Sequence, residues 1–229
     1  MTKRVQARAP ERGIDFLFIA SHGLMTPISA IRWGCNRLQR SGGKLSEEQK
    51  RLIEHLHTNA KTLSHVFDSM LFLARVEDGT YPTKTESVDL QEFLQSNHIE
   101  KAFVGPLKLT CPPGCSVKTD RGIFEVIFSN IFAVFSDARL KNGALKVTVE
   151  EGEGRVEVSF ESKMQLAFLQ SVRTVQASAE KRPVVGGTPG LRLSLVQSLL
   201  WFLDGTLAMR EVGDSAYRLV ARIPVDADA

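Results

Sequence analysis

The chain has 229 residues, of which 43% are hydrophobic and 24% charged, and carries a formal net charge of +3 at pH 7. Such a length holds one domain with a helical appendage or two small domains, and the composition is that of an ordinary soluble globular protein. The mild charge and the lack of a basic helix with interleaved aromatics exclude a nucleic-acid partner, and the longest apolar runs, such as 194–203, are far too short to span a membrane.

Residues 1–13 form a basic N-terminal tail without the hydrophobic core of a leader, so a cytoplasmic location with no membrane segment in this chain is expected. The first helix is expected over 14–40, because Leu17, Ala20, Leu24, Ile28, Ile31, Cys35 and Leu38 recur at intervals of three and four. His22 lies two residues from both Ala20 and Leu24, so its imidazole points off that seam, and Thr26 shares its face one turn later. Pro27 cannot donate to the carbonyl of Gly23, which bends the helix beside the histidine. An exposed His next to a hydroxyl on a rigid bent helix suits nucleophilic chemistry; spacing alone leaves open a plain solvated surface histidine.

Ser41-Gly42-Gly43 breaks this helix, and Ser46-Glu47-Glu48-Gln49 starts a second with a capping box. It runs to Asp78 on a seam of Leu52/Ile53, Leu56, Ala60, Leu63, Phe67, Met70 and Ala74, with His55, His57 and His65 as solvated or rim residues. Two helices of roughly 40 Å, joined by a short connection, form a hairpin over 14–78 that cannot bury both seams alone, so a homodimeric four-helix bundle is expected.

Residues 79–88, with Pro82 and scattered polar side chains, read as a linker, and 89–229 as a second domain. There, 107–110, 145–149, 156–160, 206–209 and 217–223 alternate as strands, interleaved with helices at 89–98, 121–138 and 190–203. This pattern predicts an α+β sandwich with the helices on one face of the sheet. Three cysteines give no even disulfide framework; Cys111-Pro112-Pro113-Gly114-Cys115 lacks a four-ligand zinc set and reads as a turn between strands, so no metal centre is expected.

The run Ser21-His22-Gly23-Leu24-Met25-Thr26-Pro27-Ile28-Ser29-Ala30-Ile31 resembles the phospho-acceptor box of sensor histidine kinases, Ser-His-Glu-Leu-Arg-Thr-Pro-Leu-Thr-Ala-Ile. The end of the second helix, Met70-Leu71-Phe72-Leu73-Ala74-Arg75-Val76-Glu77-Asp78-Gly79, is similar to the Leu-Leu-x-Leu-Ala-Arg-x-Glu-x-Gly ending of the same family. The second domain resembles the ATP-binding domain of these kinases: residues 120–132 correspond to the asparagine-box helix, although Asp120 also makes sense simply as an N-cap. Residues 186–196 correspond to the glycine-rich lid end.

The resemblance implies His22 as phospho-acceptor and Thr26 as the residue that helps position the water for dephosphorylation. It also implies a nucleotide site at Asn130, Glu161, Gly187, Gly190 and Arg192. That site departs from the family pattern at three places. Val134 stands where the second asparagine would hold magnesium, and it cannot ligate a hard cation. The Asp-x-Gly-x-Gly motif is replaced by Glu161-Ser162-Lys163-Met164. In the lid end Arg192 replaces a glycine, and the inserted Pro189 removes an N–H. Gly23 likewise replaces the acidic neighbour that would draw the imidazole proton during attack on ATP.

The function expected is therefore two-component signalling, with His22 passing phosphate between response regulator receiver domains and no cofactor of its own. A receiver supplies magnesium and a lysine for such transfer, so this chain need offer only the imidazole. Two alternatives stay open. One is a weakly active sensor histidine kinase using ATP and magnesium; the other is a non-catalytic pseudokinase scaffold that dimerises and docks receivers.

Overall fold

The computed structural model describes residues 28–38, 40, 45–96, 103, 105–138, 143–163, 187–212 and 216–225. They fall into two compact units, 1–81 and 82–229.

In the N-terminal unit, helix α1 is described over 28–38 and helix α2 spans Glu47–Glu77. The capping box at the start of α2 forms as expected: Ser46 Oγ accepts from Gln49 N at 3.2 Å, and Ser46 N donates to Gln49 Oε1 at 2.9 Å. Ile28, Cys35, Ile53, Ala60 and Ala74 are buried, whereas Ile31, Leu38, Leu52, Leu56 and Leu63 of the same seams are 44–58% exposed. Leu56 and Leu63 are seven residues apart, as are Ile31 and Leu38, so each helix leaves a coiled-coil-like stripe uncovered within one chain. Beyond α2, Tyr81 N donates to Arg75 O at 2.8 Å and the Tyr81 ring meets Phe72 edge-on at 4.8 Å, so 78–81 folds back onto the helix.

The C-terminal unit runs β1 (Thr85–Asp89), α3 (Leu90–Leu94), β2 (Leu107–Thr110), β3 (Ser116–Asp120), α4 (Arg121–Ala138), β4 (Leu145–Gly152), β5 (Arg155–Lys163), α5 (Gly187–Phe202), β6 (Thr206–Glu211) and β7 (Ala216–Pro224). Five strands form one sheet in the order β2-β4-β5-β7-β6, leaving β2 and β6 at its edges, while β1 and β3 pair antiparallel as a second, two-stranded sheet. β2 runs parallel to β4, and every other pair in the large sheet is antiparallel.

The second half of the expected linker is therefore β1, which belongs to the C-terminal unit, and α3 is shorter than the 89–98 expected. The strand escapes a periodicity reading because only Val88 among its five residues is buried. Asp120 fixes this corner: Oδ1 accepts from Ile123 N at 2.9 Å, capping α4, and Oδ2 accepts from Lys84 N at 2.7 Å.

The core lies on one face of the large sheet. Phe124, Phe128, Phe132 and Phe135 of α4 are fully buried. Phe160 of β5 packs against three of them, with ring centroids 6.0 Å from Phe128, 5.4 Å from Phe132 and 5.9 Å from Phe135. Phe93 of α3 meets Phe124 and Phe128 at 5.7 and 5.5 Å. Each such ring contributes about 1.5–3 kcal/mol by leaving water. No helix among the described residues is long and apolar enough to cross a membrane.

Candidate functional site

The expected nucleotide-site residues lie on α4, β5 and α5, and the fold brings only some of them together. Asn130 sits in the third turn of α4, on the face that also carries Ile127 and Val134, and is 1% exposed. Its Nδ2 donates to Val126 O at 2.8 Å, and its Oδ1 accepts from Arg192 Nη1 at 2.9 Å. Arg192 reaches it from the second turn of α5 and is itself only 4% exposed. Both amide functions of Asn130 are thus engaged within the chain, and a guanidinium fills the space beside its oxygen. A buried cation of this kind needs acceptors around it, which ties α5 to α4 in one register.

Gly187 and Gly190 lie in the first turn of α5, with Pro189 between them. Gly190 is buried, and its carbonyl accepts from Ser194 Oγ at 3.0 Å. Val134 is buried in the apolar layer of α4.

Glu161 is not part of this cluster. Along β5 the buried residues are Val156, Val158, Phe160 and Ser162, so the period of two places Glu157, Ser159 and Glu161 on the face away from the helices. There Arg218 of β7, its cross-strand neighbour, donates to Glu161 Oε2 from Nε at 2.9 Å and from Nη2 at 2.6 Å. Glu157 pairs with its own cross-strand neighbour, Arg222, through Nε. The assignment of Glu161 to the nucleotide site is corrected accordingly: the helix-side residue at the end of β5 is Ser162. Its Oγ donates to Ala144 O at 3.2 Å. The signal was present in the sequence, since Ser162 has the parity of Val156, Val158 and Phe160.

His22, Gly23, Met25 and Thr26 lie outside the described residues. Trp33, Asn36 and Arg37 of α1, with Arg40 just beyond it, line an open surface pocket, and the Arg37 guanidinium lies 5.2 Å from the Trp33 ring centre. Among the described residues no group of three or more His, Cys, Asp or Glu side chains is placed to hold a metal ion.

Residues 14–79 match the His Kinase A (phospho-acceptor) domain. An uncharacterized sensor-like histidine kinase of Rhizobium meliloti (strain 1021) is 26% identical over 232 residues, covering 93% of this chain and 43% of that protein. The chain thus spans less than half the length of this curated relative. Among solved structures, full-length ShkA in complex with AMPPNP superposes with a TM-score of 0.61 at 18% identity, over 94% of this chain and 46% of that one. The histidine kinase AdeS of Acinetobacter baumannii gives 0.55 at 19% identity, over 89% and 98%. At these identities the structural likeness is one of fold: a helical N-terminal region followed by an α/β sheet domain.

Proposed function

We propose that this chain, a member of the sensor histidine kinase family, acts as a histidine phosphotransfer component, relaying phosphate through His22 between receiver domains without using ATP. The observation that carries this reading is the Arg192–Asn130 pair. Asn130 is the one retained residue of the family's asparagine box. Its oxygen accepts from Arg192, so a guanidinium fills the space that a glycine of the lid end would leave open beside it. Val134 offers no second oxygen nearby, and Glu161 points to the other face of the sheet, held by Arg218. A domain of this build keeps its core intact through phenylalanine packing and needs no nucleotide to complete it.

Relay through His22 asks little of the chain. A nitrogen of the neutral imidazole attacks the phosphorus of a receiver's aspartyl phosphate, one P–N bond forms, and the P–O bond to the carboxylate breaks. The reverse step on a second receiver returns the histidine. Magnesium and the charge-neutralising lysine come with the receiver in both steps. The exposed stripes Ile31/Leu38 and Leu56/Leu63 support a homodimeric bundle as the platform on which receivers dock, with Trp33, Asn36 and Arg37 on the surface they would read.

The test is incubation of the full chain with labelled Mg-ATP in parallel with labelled phospho-receivers, for wild type and His22→Ala. Label is expected on the wild type from the receivers only, and on His22→Ala from neither. Labelling from ATP would replace this reading with an active kinase. Absence of labelling from any phospho-receiver would leave the pseudokinase scaffold.

A further inference from the structure

The segment between β2 and β3 carries two cysteines that the phosphotransfer reading does not use. Pro112 O accepts from Cys115 N at 3.4 Å, and Gly114 has φ 78°, so Pro112–Cys115 is a β-turn with proline at its second position and a left-handed glycine at its third. The same Pro112 carbonyl accepts from the Cys111 thiol at 3.6 Å. The turn folds the residue before it and the residue that ends it onto each other, with Cys111 Sγ and Cys115 N converging on the one Pro112 carbonyl oxygen. Both cysteines are reduced; Cys115 is 1% exposed, while Cys111 is half-buried and open to attack.

We propose that Cys111 and Cys115 are a reversible dithiol–disulfide pair, oxidised by low-molecular-weight disulfides, that staples the end of β2 in the five-stranded sheet to the start of β3 in the two-stranded sheet. The Cys111 thiolate attacks one sulfur of glutathione disulfide, forming a mixed disulfide and releasing one glutathione. Cys115 then loses its proton and attacks Cys111 Sγ, closing the intrachain S–S bond and releasing the second glutathione. Two protein thiols are oxidised by two electrons, one glutathione disulfide is reduced to two thiols, and the two protons end on those thiols.

The surroundings set the rate. Burial, and then the negative charge of Asp89, push the Cys111 thiol up. Burial, the hydrogen bond to the Glu151 carboxylate and its charge push Cys115 up to about 12. The thiolate is the attacking species, so the pair is slow to react near neutrality and speeds up as pH rises toward these raised values. Asp89 at the start of α3 and Glu151 near the end of β4 are the charged groups acting on the pair. This makes the staple a response to sustained oxidation and not a fast sensor.

The experiment treats the full chain with glutathione disulfide at pH 7, 8 and 9, blocks remaining thiols with iodoacetamide, and follows the tryptic peptide Leu109–Lys118 by mass. The expected product is that peptide unalkylated and about 2 Da lighter, the mass of two hydrogens, forming roughly tenfold faster per pH unit. Glu151→Gln should speed its formation roughly three- to tenfold. Cys111→Ser and Cys115→Ser should each abolish it; Cys111, being half-exposed, is the substitution the fold tolerates more easily. Dithiothreitol should return both alkylation sites. The proposal is overturned if both cysteines remain alkylated, if glutathione stays on Cys111 as the end product, if the partner sulfur is Cys35 or another copy of the chain, or if the rate ignores pH.

Discussion

Arg192 and Asn130, 62 positions apart in the chain, meet inside the C-terminal unit as donor and acceptor at 2.9 Å. Truncating either leaves a buried polar group one partner short, at a cost of about 1–3 kcal/mol. Because each loss contains the same contact, a double-mutant cycle of Arg192→Ala and Asn130→Ala should show a coupling of about 0.5–3 kcal/mol. Denaturant unfolding of the C-terminal transition measures it, and simple additivity would mean the contact does not form in solution.

Calorimetry with Mg-ATP should register no binding by the wild type at millimolar nucleotide. Arg192→Gly combined with Val134→Asn frees the Asn130 oxygen and adds a second oxygen one turn away, so measurable affinity should appear in the double variant. A micromolar dissociation constant for the wild type would overturn the nucleotide-free reading. Glu161→Gln should leave nucleotide behaviour unchanged in either background, because its carboxylate lies on the opposite face of the sheet.

The hairpin should set the oligomeric state. Leu63 is 44% exposed in one chain and belongs to a stripe repeated every seven residues. Leu63→Glu should convert a dimer into a monomer or unfold the hairpin. Light scattering decides the matter: a wild-type mass of 25.4 kDa at micromolar concentration would refute the dimer.

Thr26→Ala should leave transfer to and from His22 largely intact while slowing loss of phosphate to water, since the hydroxyl is assigned to water and not to the imidazole. Measuring receiver labelling and phosphate release in the same reaction separates the two effects.

The end of α5 offers a stability test independent of function. Gly205 N donates to Leu200 O at 2.7 Å and Asp204 N to Trp201 O at 3.1 Å, the paired bonds of a Schellman ending, with Asp204 at φ 54° in the position glycine favours. Asp204→Gly should therefore stabilise the unit by about 1 kcal/mol, raising its Tm by about 2–4 °C. Gly205→Ala should do the opposite, because an added Cβ would stand 2.7 Å from the backbone oxygen of Arg222. Thermal melts of the two variants should move apart.

The sequence makes the strongly periodic parts of this molecule legible. The capping box at Ser46, the bounds of α4 and the positions of β4 to β7 all follow from patterns that tolerate little ambiguity. β1 and β3 do not, because each is a five-residue strand with a single buried apolar side chain, Val88 or Val117, which carries no measurable period. Helical seams such as Leu52/Ile53 are readable as apolar, but which half a single chain covers is a matter of tertiary packing: Ile53 is buried and Leu52 is not. Glu161 illustrates a different error, in which residue type outweighed strand parity. The engagement of Asn130 by Arg192 is a contact between two helices that no local pattern encodes.

The two edges of the large sheet have a bearing on behaviour at high concentration. β2 is only four residues long and carries Lys108, and β6 carries Arg210 with Glu211 at its end. Short, charged edge strands resist pairing with strands of other molecules, so the sheet offers a poor template for fibril growth. Crowding or concentration of the protein should accordingly yield clear solutions rather than gels or amyloid, with any self-association confined to the helical stripes and reversible on dilution.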